Sequence, residues 1–386
     1  MKNICVVIGS RANYSSIKSA MTAIKNNPKL TLQVVATASS LLDRYGSVVE
    51  LIRNDGFEIN EEIFTLLEGE NPLTMAKTTG LALIELTTVF NRLKPNFVIT
   101  VGDRFETMAT TLAAAYMNIP LVHTMGGEVT GTIDESIRHA ITKFAHIHFP
   151  ASKDAFNRII KLGENIENVF MVGCPRIDLV AEILQNDPGA LNIEPDLFLG
   201  GVGEKLDLSK DFVLVSQHPV TTEYGEGENQ IFSTLNAINN LNIQAIVLWP
   251  NSDAGSEDIA KGIRKWREKN IGKKMHFFKN LPIDTYVRLM KRTKCLVGNS
   301  SSGIREGAFI GTPCVNIGTR QNRRERGVNV IDVKNIEIEI EKAISIQIEH
   351  GSYPMDPIYG TGNAGLQISE ILTNLNNVNI QKIITY

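Results

Sequence analysis

Short apolar runs alternate with longer amphipathic stretches along most of the chain. Runs such as Ile4–Ile8 and Phe97–Val101 are apolar at almost every position, which indicates strands buried on both faces of a sheet. In 73–93, apolar residues instead recur at the spacing of an amphipathic helix. This alternation predicts an α/β fold with helices on both faces of parallel sheets. The predicted strands are 4–8, 32–36, 97–101, 120–123, 212–216, 244–249, 275–278, 295–297 and 313–317, and the predicted helices include 11–26, 43–55 and 73–93.

The alternation loosens between Asp178 and Asp211, where the turn-forming sequences N-D-P-G and G-G-V-G occur. It resumes at Phe212 and continues through the second half. With 386 residues, the chain is long enough for two domains that each bury a core. We therefore predict two Rossmann-like, doubly wound domains, 1–178 and 179–363, that face each other across a ligand-binding cleft.

The charge balance and the cysteines exclude several classes of partner and site. The formal net charge is −3 with acids and bases interspersed, which argues against nucleic acid and membrane surfaces as partners. Cys5, Cys174, Cys295 and Cys314 have neither metal-ligand spacing nor the density of a disulfide framework. The first apolar run is too short for a signal peptide, and no stretch is long enough to span a membrane. We expect a cytoplasmic protein with reduced cysteines and no metal site.

Acidic residues cluster near the ends of two predicted strands in the first half. Asp103 follows 97–101, while His123 ends 120–123 and Glu128 comes shortly after it. Asp134 opens the next predicted helix. Because ligands of parallel α/β sheets bind at the carboxyl ends of strands, we expect these side chains to point at one pocket. Asp103, Glu128 and Asp134 are therefore the candidate catalytic acids.

A helix is also predicted to follow Thr132. Thr132 and Glu135 have the spacing of a capping box, and Asp134 and Arg138 are four residues apart and can pair on the helix surface. An acid in the first turn can also serve only to cap the helix. The apolar stripe expected to pack on the sheet consists of Ile137, Ala140, Ile141, Phe144 and Ala145.

Two segments carry groups that suit a phosphate. Gly9-Ser10-Arg11 lies between the first strand and a helix, and 297–307 combines serines, glycines and a guanidinium at the opening of another helix. The second segment predicts a nucleoside diphosphate cradle, although a turn that only caps a helix has the same composition. Walker and dinucleotide glycine patterns are absent, which disfavours ATP and NAD. The candidate binding residues are Arg11, Ser301, Ser302, Gly303, Arg305 and Glu306, the last as an acceptor for a ribose diol.

A loop histidine and a basic loop add to these candidates. His218 follows strand 212–216, a position more often functional than structural. Residues 318–327 place four arginines, Arg320 among them, after strand 313–317. Because no aromatic residues are interleaved, a small ligand bearing phosphate or carboxylate is favoured over nucleic acid or a merely solvated loop.

A series of motifs extends this picture along the chain. They are Gly102-Asp103-Arg104, Gly126-Gly127-Glu128-Val129, Gly131-Thr132-Ile133-Asp134, Ser136-Ile137-Arg138-His139-Ala140, His218-Pro219-Val220-Thr221-Thr222, Asn251-Ser252-Asp253-Ala254-Gly255, Gly298-Asn299-Ser300-Ser301 and Gly318-Thr319-Arg320-Gln321. In them the chain resembles the UDP-N-acetylglucosamine 2-epimerases, specifically the hydrolysing branch that includes bacterial sialic-acid pathway enzymes. The resemblance implies a GT-B-type fold and a C-terminal segment, 364–386, whose helix over about 364–376 crosses back onto the first domain. It also implies a homodimer or homotetramer, with 73–93 as a candidate contact.

The resemblance implies a reaction that needs no metal or redox cofactor. A base removes the C2 proton of a UDP-linked aminosugar while UDP leaves C1, and water then adds to the 2-acetamidoglucal. The free product would be N-acetylmannosamine or its 4-acetamido-6-deoxy analogue. The matching positions are Asp103 and Asp134 among the acids, Arg11 and His218 at the diphosphate, and Ser301, Ser302, Arg305 and Glu306 in the cradle. The further candidates are Glu128 and His218 for catalysis and Arg104, Asn251, Gly303 and Arg320 for substrate binding.

Met125 departs from the family pattern, because many relatives carry a catalytic Glu directly before the paired glycines. Either Glu128 or Glu135 takes that role, or the enzyme handles a different sugar, or one step of its reaction is compromised. Relatives that act on a 2,4-diacetamido-2,4,6-trideoxy sugar of the legionaminic acid route also vary here. A UDP- or GDP-linked sugar of that kind is therefore the alternative substrate.

Ser16 is a second departure, because relatives commonly have a lysine there. Its loss leaves phosphate binding more dependent on Arg11, His218 and Arg305. Three other functions stay open: a non-hydrolysing epimerase, a non-catalytic sugar-nucleotide-binding protein, and a glycosyltransferase of the same architecture.

Overall fold

The structure is a computed structural model that describes residues 1–43, 46–69, 72–130, 133–186, 197–250, 255–270, 272–376 and 378–385. The chain divides into two compact units. The first comprises Met1–Val129, Ile133–Leu179 and Tyr359–Tyr386, and Val180–Ile358 forms the second. Each unit is built on a largely parallel sheet, so the predicted α/β class with two Rossmann-like domains is confirmed.

The first unit follows the predicted alternation of strands and helices. Its elements are β1 (Lys2–Ile8), α1 (Arg11–Ser15), α2 (Lys18–Lys25), β2 (Leu30–Thr37), α3 (Val48–Asn54), β3 (Glu61–Ile63), α4 (Pro72–Leu93), β4 (Phe97–Val101), α5 (Phe105–Tyr116), β5 (Leu121–Thr124), α6 (Asp134–Phe144), β6 (Ile147–Phe149), α7 (Lys153–Lys161) and the start of α8 (Pro175–Asn186). The strands form one parallel sheet in the order β3-β2-β1-β4-β5-β6. The strand order reverses between β1 and β4, so the loops after these strands open beside each other.

Apolar packing fixes the central strands of this sheet. All five residues of β4 are buried, and α4 packs Leu86, Val89 and Phe90 into the same core. Each such side chain contributes roughly 1.5–3 kcal/mol when it is fully buried. Among the described residues, no helix combines the length and apolar composition that a membrane crossing requires.

The second unit repeats the alternation. Its elements are β7 (Val202–Gly203), β8 (Phe212–Ser216), α9 (Gly227–Asn240), β9 (Gln244–Leu248), α10 (Ser256–Lys269), β10 (Met275–Phe278), α11 (Ile283–Arg292), β11 (Cys295–Gly298), α12 (Arg305–Ile310), β12 (Cys314–Ile317), β13 (Val330–Val333) and α13 (Glu337–His350). The strand order is β13-β12-β11-β8-β9-β10-β7, and β7 pairs antiparallel with β10. Because β12, β11 and β8 are neighbours and parallel, the loops that follow them meet at one edge of the sheet.

The last helix, α14 (Ala364–Asn374), belongs to the first unit. Asp178 caps its start by accepting the backbone N–H groups of Ala364 at 3.0 Å and Gly365 at 2.7 Å. A Cβ atom on Gly365 would lie 2.6 Å from the Ser19 carbonyl carbon, so glycine allows the close approach to α2. At the other end, the Lys2 ammonium donates to the Thr373 carbonyl at 2.8 Å.

Several helix boundaries differ from the prediction for local reasons. The helix predicted over 11–26 is broken into α1 and α2, because Ile17 leaves the helical conformation with φ −132°. The helix predicted over 43–55 begins only at Val48, after Gly46 and Ser47 with positive φ. Between Asp178 and Asp211 the sequence predicts no regular alternation of strands and helices. In this stretch α8 continues to Asn186, and 187–196 lie outside the described residues.

The sequence does not predict β3, β6, β7 and β13 in detail. In the described part of the chain these strands are the edges of the two sheets. Edge strands pair on one side only and are short, so they need no continuous apolar run. Their sequences, such as EEI and VG, accordingly lack the signal of the central strands.

Candidate active site

Arg138 lies at the centre of the candidate site in the first unit. Its side chain is 1% exposed, and its Nη2 forms an ion pair with the carboxylate of Asp103. Its Nη1 donates to the backbone carbonyl of Glu128 at 2.9 Å. Asp134 begins the same helix one turn earlier. One buried guanidinium therefore connects the loops after β4 and β5 with the helix that carries Asp134.

The face of α6 that packs against the unit differs from the predicted stripe. Arg138, Ile141 and Thr142 are buried, whereas Phe144 is 40% exposed. The expectation that Arg138 lies on the helix surface was therefore wrong. A count of apolar residues cannot foresee this, because an ion pair compensates the burial of a charge. Thr132 lies outside the described residues, and the N-cap of α6 is Ile133, whose side chain makes no capping bond.

Two ion pairs lie at the end of β4. Asp103 is the acid of one, and Arg104 is the base of the other. Asp103 pairs with the guanidinium of Arg138, and its side chain is 26% exposed and so remains within reach of a ligand. Arg104 donates through Nε to Glu106 Oε1 at 2.7 Å, and the Glu106 side chain is 3% exposed. A Cβ atom on Gly9 would lie 2.6 Å from Glu106 Cγ, so the loop after β1 must carry glycine there. Glu106 is not predicted from the sequence, because it belongs to no recognisable motif.

His123 does not point into a pocket, contrary to the expectation. It is fully buried, and its Nε2 donates to the Gly102 carbonyl at 2.9 Å. Burial is the main cause that lowers the pKa of His123 to about 3, so the ring is neutral near pH 7. Its Nδ1 lies 3.3 Å from Thr142 Oγ1 on α6. His123 therefore has a structural role, because its hydrogen bond to Gly102 holds the loop that carries Asp103.

Met125 directly follows strand β5, and its backbone is in the left-handed conformation with φ 59°. Its side chain is 6% exposed, and the Cys174 thiol donates to its sulfur at 3.5 Å. Its methyl carbon would lie 3.7 Å from a Cβ atom on Gly102. A left-handed methionine costs on the order of 1–2 kcal/mol, and such strain is concentrated at functional sites.

Of the two acids that could replace the missing Glu, Glu128 is buried and Glu135 is not. The Glu128 side chain is 4% exposed, and its backbone carbonyl is bound by Arg138. Glu135 lies on the flank of α6 with its side chain 36% exposed, 3.6 Å from His139 Nε2. Across the described residues, no group of three or more His, Cys, Asp or Glu side chains is placed to hold a metal ion.

The loop after β1 brings two cations together. Ser10 caps α1 by accepting the N–H of Asn13 at 3.3 Å, and Asn13 donates to the Val101 carbonyl at 3.1 Å. Burial and the nearby positive charge of Arg176 lower the pKa of the Arg11 guanidinium. Neighbouring guanidinium groups that repel each other favour a bound anion. Arg176 has no signal in the sequence, because only the fold brings α8 to this loop.

Ser16 ends α1, and its side chain is buried. Its backbone N–H donates to the carbonyls of Ala12 and Asn13 at 3.2 and 3.1 Å. A long cationic side chain at this position would have to leave the buried environment that Ser16 occupies.

In the second unit, Asn299 joins three loops. Its Oδ1 accepts the backbone N–H of His218 at 2.7 Å, and its Nδ2 donates to the His218 carbonyl at 2.8 Å. Its own carbonyl accepts from Gln321 at 2.9 Å and from Arg320 at 3.3 Å. The preceding Gly298 has φ 137°, and a Cβ atom there would lie 2.2 Å from the Ser216 carbonyl oxygen. The predicted residues His218 and Arg320 are thus anchored to the same asparagine.

The serine-rich segment forms a tight turn before α12. Ser300 Oγ accepts the N–H of Ser302 at 3.3 Å, and Ser302 Oγ lies 2.6 Å from the Tyr286 hydroxyl. A Cβ atom on Gly303 would lie 2.4 Å from Cys314 Sγ, so packing alone requires glycine there. Arg305 begins α12, and Glu306 is 3% exposed. Ser301 opens the turn and is partly exposed.

Two arginines of the loop 318–327 bind residues of the same loop or of β13. Arg324 donates to Gln321 Oε1 at 2.8 Å, and Arg326 pairs with Asp332 and donates to the Gln321 carbonyl at 2.6 Å. These two arginines hold the loop in shape, whereas Arg320 lies beside Asn299. Asn251, predicted to bind substrate, lies outside the described residues.

The family model and the related sequences that match this chain indicate the same family, and a solved structure shares its fold. A family model described as UDP-N-acetylglucosamine 2-epimerase matches residues 22–373. A Campylobacter jejuni protein named GDP/UDP-N,N'-diacetylbacillosamine 2-epimerase (hydrolyzing) is 33% identical over 99% of this chain and 97% of the relative. A Legionella pneumophila protein named UDP-N,N'-diacetylbacillosamine 2-epimerase (hydrolyzing) is also 33% identical, over 97% and 96%. The crystal structure of the Neisseria meningitidis UDP-GlcNAc 2-epimerase bound to UDP-GlcNAc shares the fold, with a TM-score of 0.81 at 18% identity over 96% of this chain and 99% of that one.

Proposed function

Because the chain belongs to the UDP-N-acetylglucosamine 2-epimerase family, we propose that it is a hydrolysing sugar-nucleotide 2-epimerase. The observation that carries this proposal is the Asp103 carboxylate, which the ion pair with Arg138 orients at the end of β4. A charged, positioned carboxylate is the group that removal of a weakly acidic C–H proton requires. The names of the two relatives at 33% identity support the hydrolysing type.

The proposed reaction has two steps. In the first, a carboxylate accepts the proton from C2 of the sugar, the C–H electrons form the C1–C2 double bond, and the C1–O bond to the nucleoside diphosphate breaks. In the second, the oxygen of water adds to C1 and a proton adds to C2 from the opposite face. One water is consumed, and the products are the free 2-epimer and the nucleoside diphosphate.

We assign the roles according to the charges that develop. Asp103 accepts the C2 proton, and Glu128 and Asp134 are the further carboxyl groups near C2. Expulsion of a diphosphate requires positive charge and hydrogen-bond donors around it, which we assign to Arg11, Arg104 and His218. The proposed binding residues of the second unit are Asn251, Ser301, Ser302, Gly303, Arg305 and Arg320 for the phosphates and Glu306 for the ribose.

We propose that the sugar is N,N'-diacetylbacillosamine carried on UDP or GDP. The names of the two relatives support this choice over UDP-N-acetylglucosamine. So does Met125, whose thioether packs beneath Gly102 beside Asp103 and offers no acid or base there. A panel of UDP- and GDP-linked aminosugars, assayed for release of nucleotide, separates the two substrates by their kcat/KM values.

The reaction type is tested in deuterated water. Incubation with substrate is expected to release nucleotide and a 2-epimerised free sugar that carries deuterium at C2. A product with hydrogen at C2 would exclude deprotonation, and a sugar that stays on its nucleotide would indicate the non-hydrolysing reaction. Tight binding without turnover would leave only a binding protein, and a requirement for an acceptor sugar would reveal a glycosyltransferase.

Replacement of Asn299 by Ala is expected to weaken UDP binding about tenfold. The change removes both hydrogen bonds to the His218 backbone, each worth about 1 kcal/mol, and so releases the His218 loop. Titration calorimetry with UDP measures the effect. Asn316→Ala is the matched control, because Asn316 is a buried asparagine of the same sheet that donates to Asp332 at 2.7 Å. Equal losses in both variants would mean that Asn299 acts only through stability.

A further inference from the structure

The segment after α14 lies against the end of α6, the helix that carries Asp134 and Arg138. His146 Nε2 donates to the Ile380 carbonyl at 3.2 Å, and the Thr385 N–H donates to the Gly163 carbonyl at 3.0 Å. A Cβ atom on Gly163 would lie 2.9 Å from Ile384 Cγ2, so the contact is close. Both sides of this contact belong to the first unit.

Lys382 is the charged group of this segment, and it closes the C-terminal end of α6. Its Nζ donates to the carbonyls of Lys143 at 2.8 Å, Thr142 at 3.4 Å and Ala145. The last carbonyls of a helix have no partner within the helix, and the helix dipole makes this end negative. An ammonium group here satisfies the carbonyls and the dipole together.

A buried carboxylate holds Lys382 in place. Glu164 is 4% exposed, and its Oε2 lies 2.7 Å from Lys382 Nζ. The same carboxylate is bound by Lys143 and, at 3.2 Å, by His148 Nε2. Burial acts to raise the pKa of Glu164, but the donors around it lower it to about 2 overall. Lys382 therefore has a permanently charged partner near neutral pH.

Lys382 binds the C-terminal end of α6, which lies one helical turn after Arg138 of the proposed site. Arg138, which binds Asp103, lies four residues before Thr142, and Thr142 Oγ1 lies 3.3 Å from the His123 ring that supports Gly102. Any shift of α6 along its axis moves the Arg138 guanidinium relative to the Asp103 loop. Errors of about 1 Å in such an arrangement can cost 10²-fold in rate.

We propose that Lys382 is a positioning residue, which fastens α6 so that Arg138 meets Asp103 in the geometry for proton removal. This inference rests on the proposed function. It assigns a role in turnover to the C-terminal segment, outside every motif of the chain. Lys382 itself touches neither the substrate nor the reacting atoms.

Two lysines allow a matched test in the full chain. Lys2 caps α14 through the carbonyls of Leu372, Thr373 and Leu375, the same chemistry on a helix without proposed site residues. Lys382→Met is expected to lower kcat on the order of tenfold and to leave the affinity for UDP within about twofold. Lys382→Arg, which keeps the charge, is expected to restore most of kcat. Lys2→Met is expected to lower the melting temperature without lowering kcat.

Hydrogen exchange gives a readout that does not depend on activity. Amide exchange in α6 is expected to rise in Lys382→Met and to stay unchanged in Lys2→Met. The proposal is overturned if Lys382→Met keeps its kcat within twofold, or if Lys2→Met lowers kcat as much. If Lys382→Met does not fold, Lys382→Gln, which keeps a donor, replaces it under the same criteria. A wild-type chain that turns over no nucleotide sugar would count against the proposed function, whereas normal wild-type turnover with an unaffected Lys382→Met counts against Lys382 alone.

Discussion

Asp103→Asn is expected to lower kcat on the order of 10³-fold, within the range that a positioned general base contributes. Asparagine has the same shape and can still accept a hydrogen bond from Arg138, but it cannot take up a proton. The fold should therefore survive while the chemistry is lost. The affinity for UDP is expected to change by less than about threefold, because the substituted group acts on the sugar.

The measurements are nucleotide release and loss of the C2 proton in deuterated water. Glu61→Gln is the matched control, since Glu61 on β3 pairs with Arg92 at 2.5 Å and its side chain is 21% exposed, similar to that of Asp103. The control is expected to keep its kcat within twofold. An Asp103→Asn variant that retains a tenth of wild-type kcat would remove Asp103 from the role of base.

Arg138→Met is expected to lower the free energy of unfolding of the first unit by about 3 kcal/mol and kcat by at least as much as Asp103→Asn. Loss of one partner of a buried ion pair costs roughly 3–5 kcal/mol. The lower end applies here, because Asp103 is 26% exposed and can turn to water. The Glu128 carbonyl also loses its donor, and its loop is no longer tied to α6.

Urea unfolding, followed by the transition of the first unit, measures this effect. Arg92→Met supplies the control, because Arg92 is 58% exposed in its pair with Glu61 and exposed pairs contribute about 0–1 kcal/mol. The double variant Asp103→Asn/Arg138→Met is expected to lose less than the sum of the single losses, since the two residues are in contact. Additive losses would show that the pair is not the unit that stabilises the site.

Some residues of the proposed site can be recognised in the sequence, and others cannot. Asp103, Glu128 and Asp134 are visible in the sequence, because acids that follow buried strands or open helices mark the carboxyl edge of a parallel sheet. Arg138, Glu106 and Arg176 are not visible in this way. An arginine with helical spacing looks like a surface residue until its partner is known, and the partner of Arg138 lies in a loop far away along the chain.

In the second unit the serine-rich segment was predicted as a cradle of donors. Much of its polar capacity serves the turn itself, since Ser302 is bound to Tyr286 and Ser300. Asn299 carries the connection to His218 and to Gln321, a role that its place in the Gly298-Asn299-Ser300-Ser301 motif does not reveal. Packing against Cys314 explains Gly303 without reference to a ligand.

The sequence by itself determined the α/β class, the central strands and the helices that cover them, because burial on both faces and helical spacing are properties of local composition. It also placed the candidate acids and the candidate phosphate-binding loops at strand ends, since chain order decides which residues follow a strand. Only the tertiary structure decided which face of α6 is buried, which guanidinium meets Asp103, and which lysine closes the end of that helix. Those outcomes depend on charges that are distant in sequence, and the burial of a charge is stable only where folding supplies its partner.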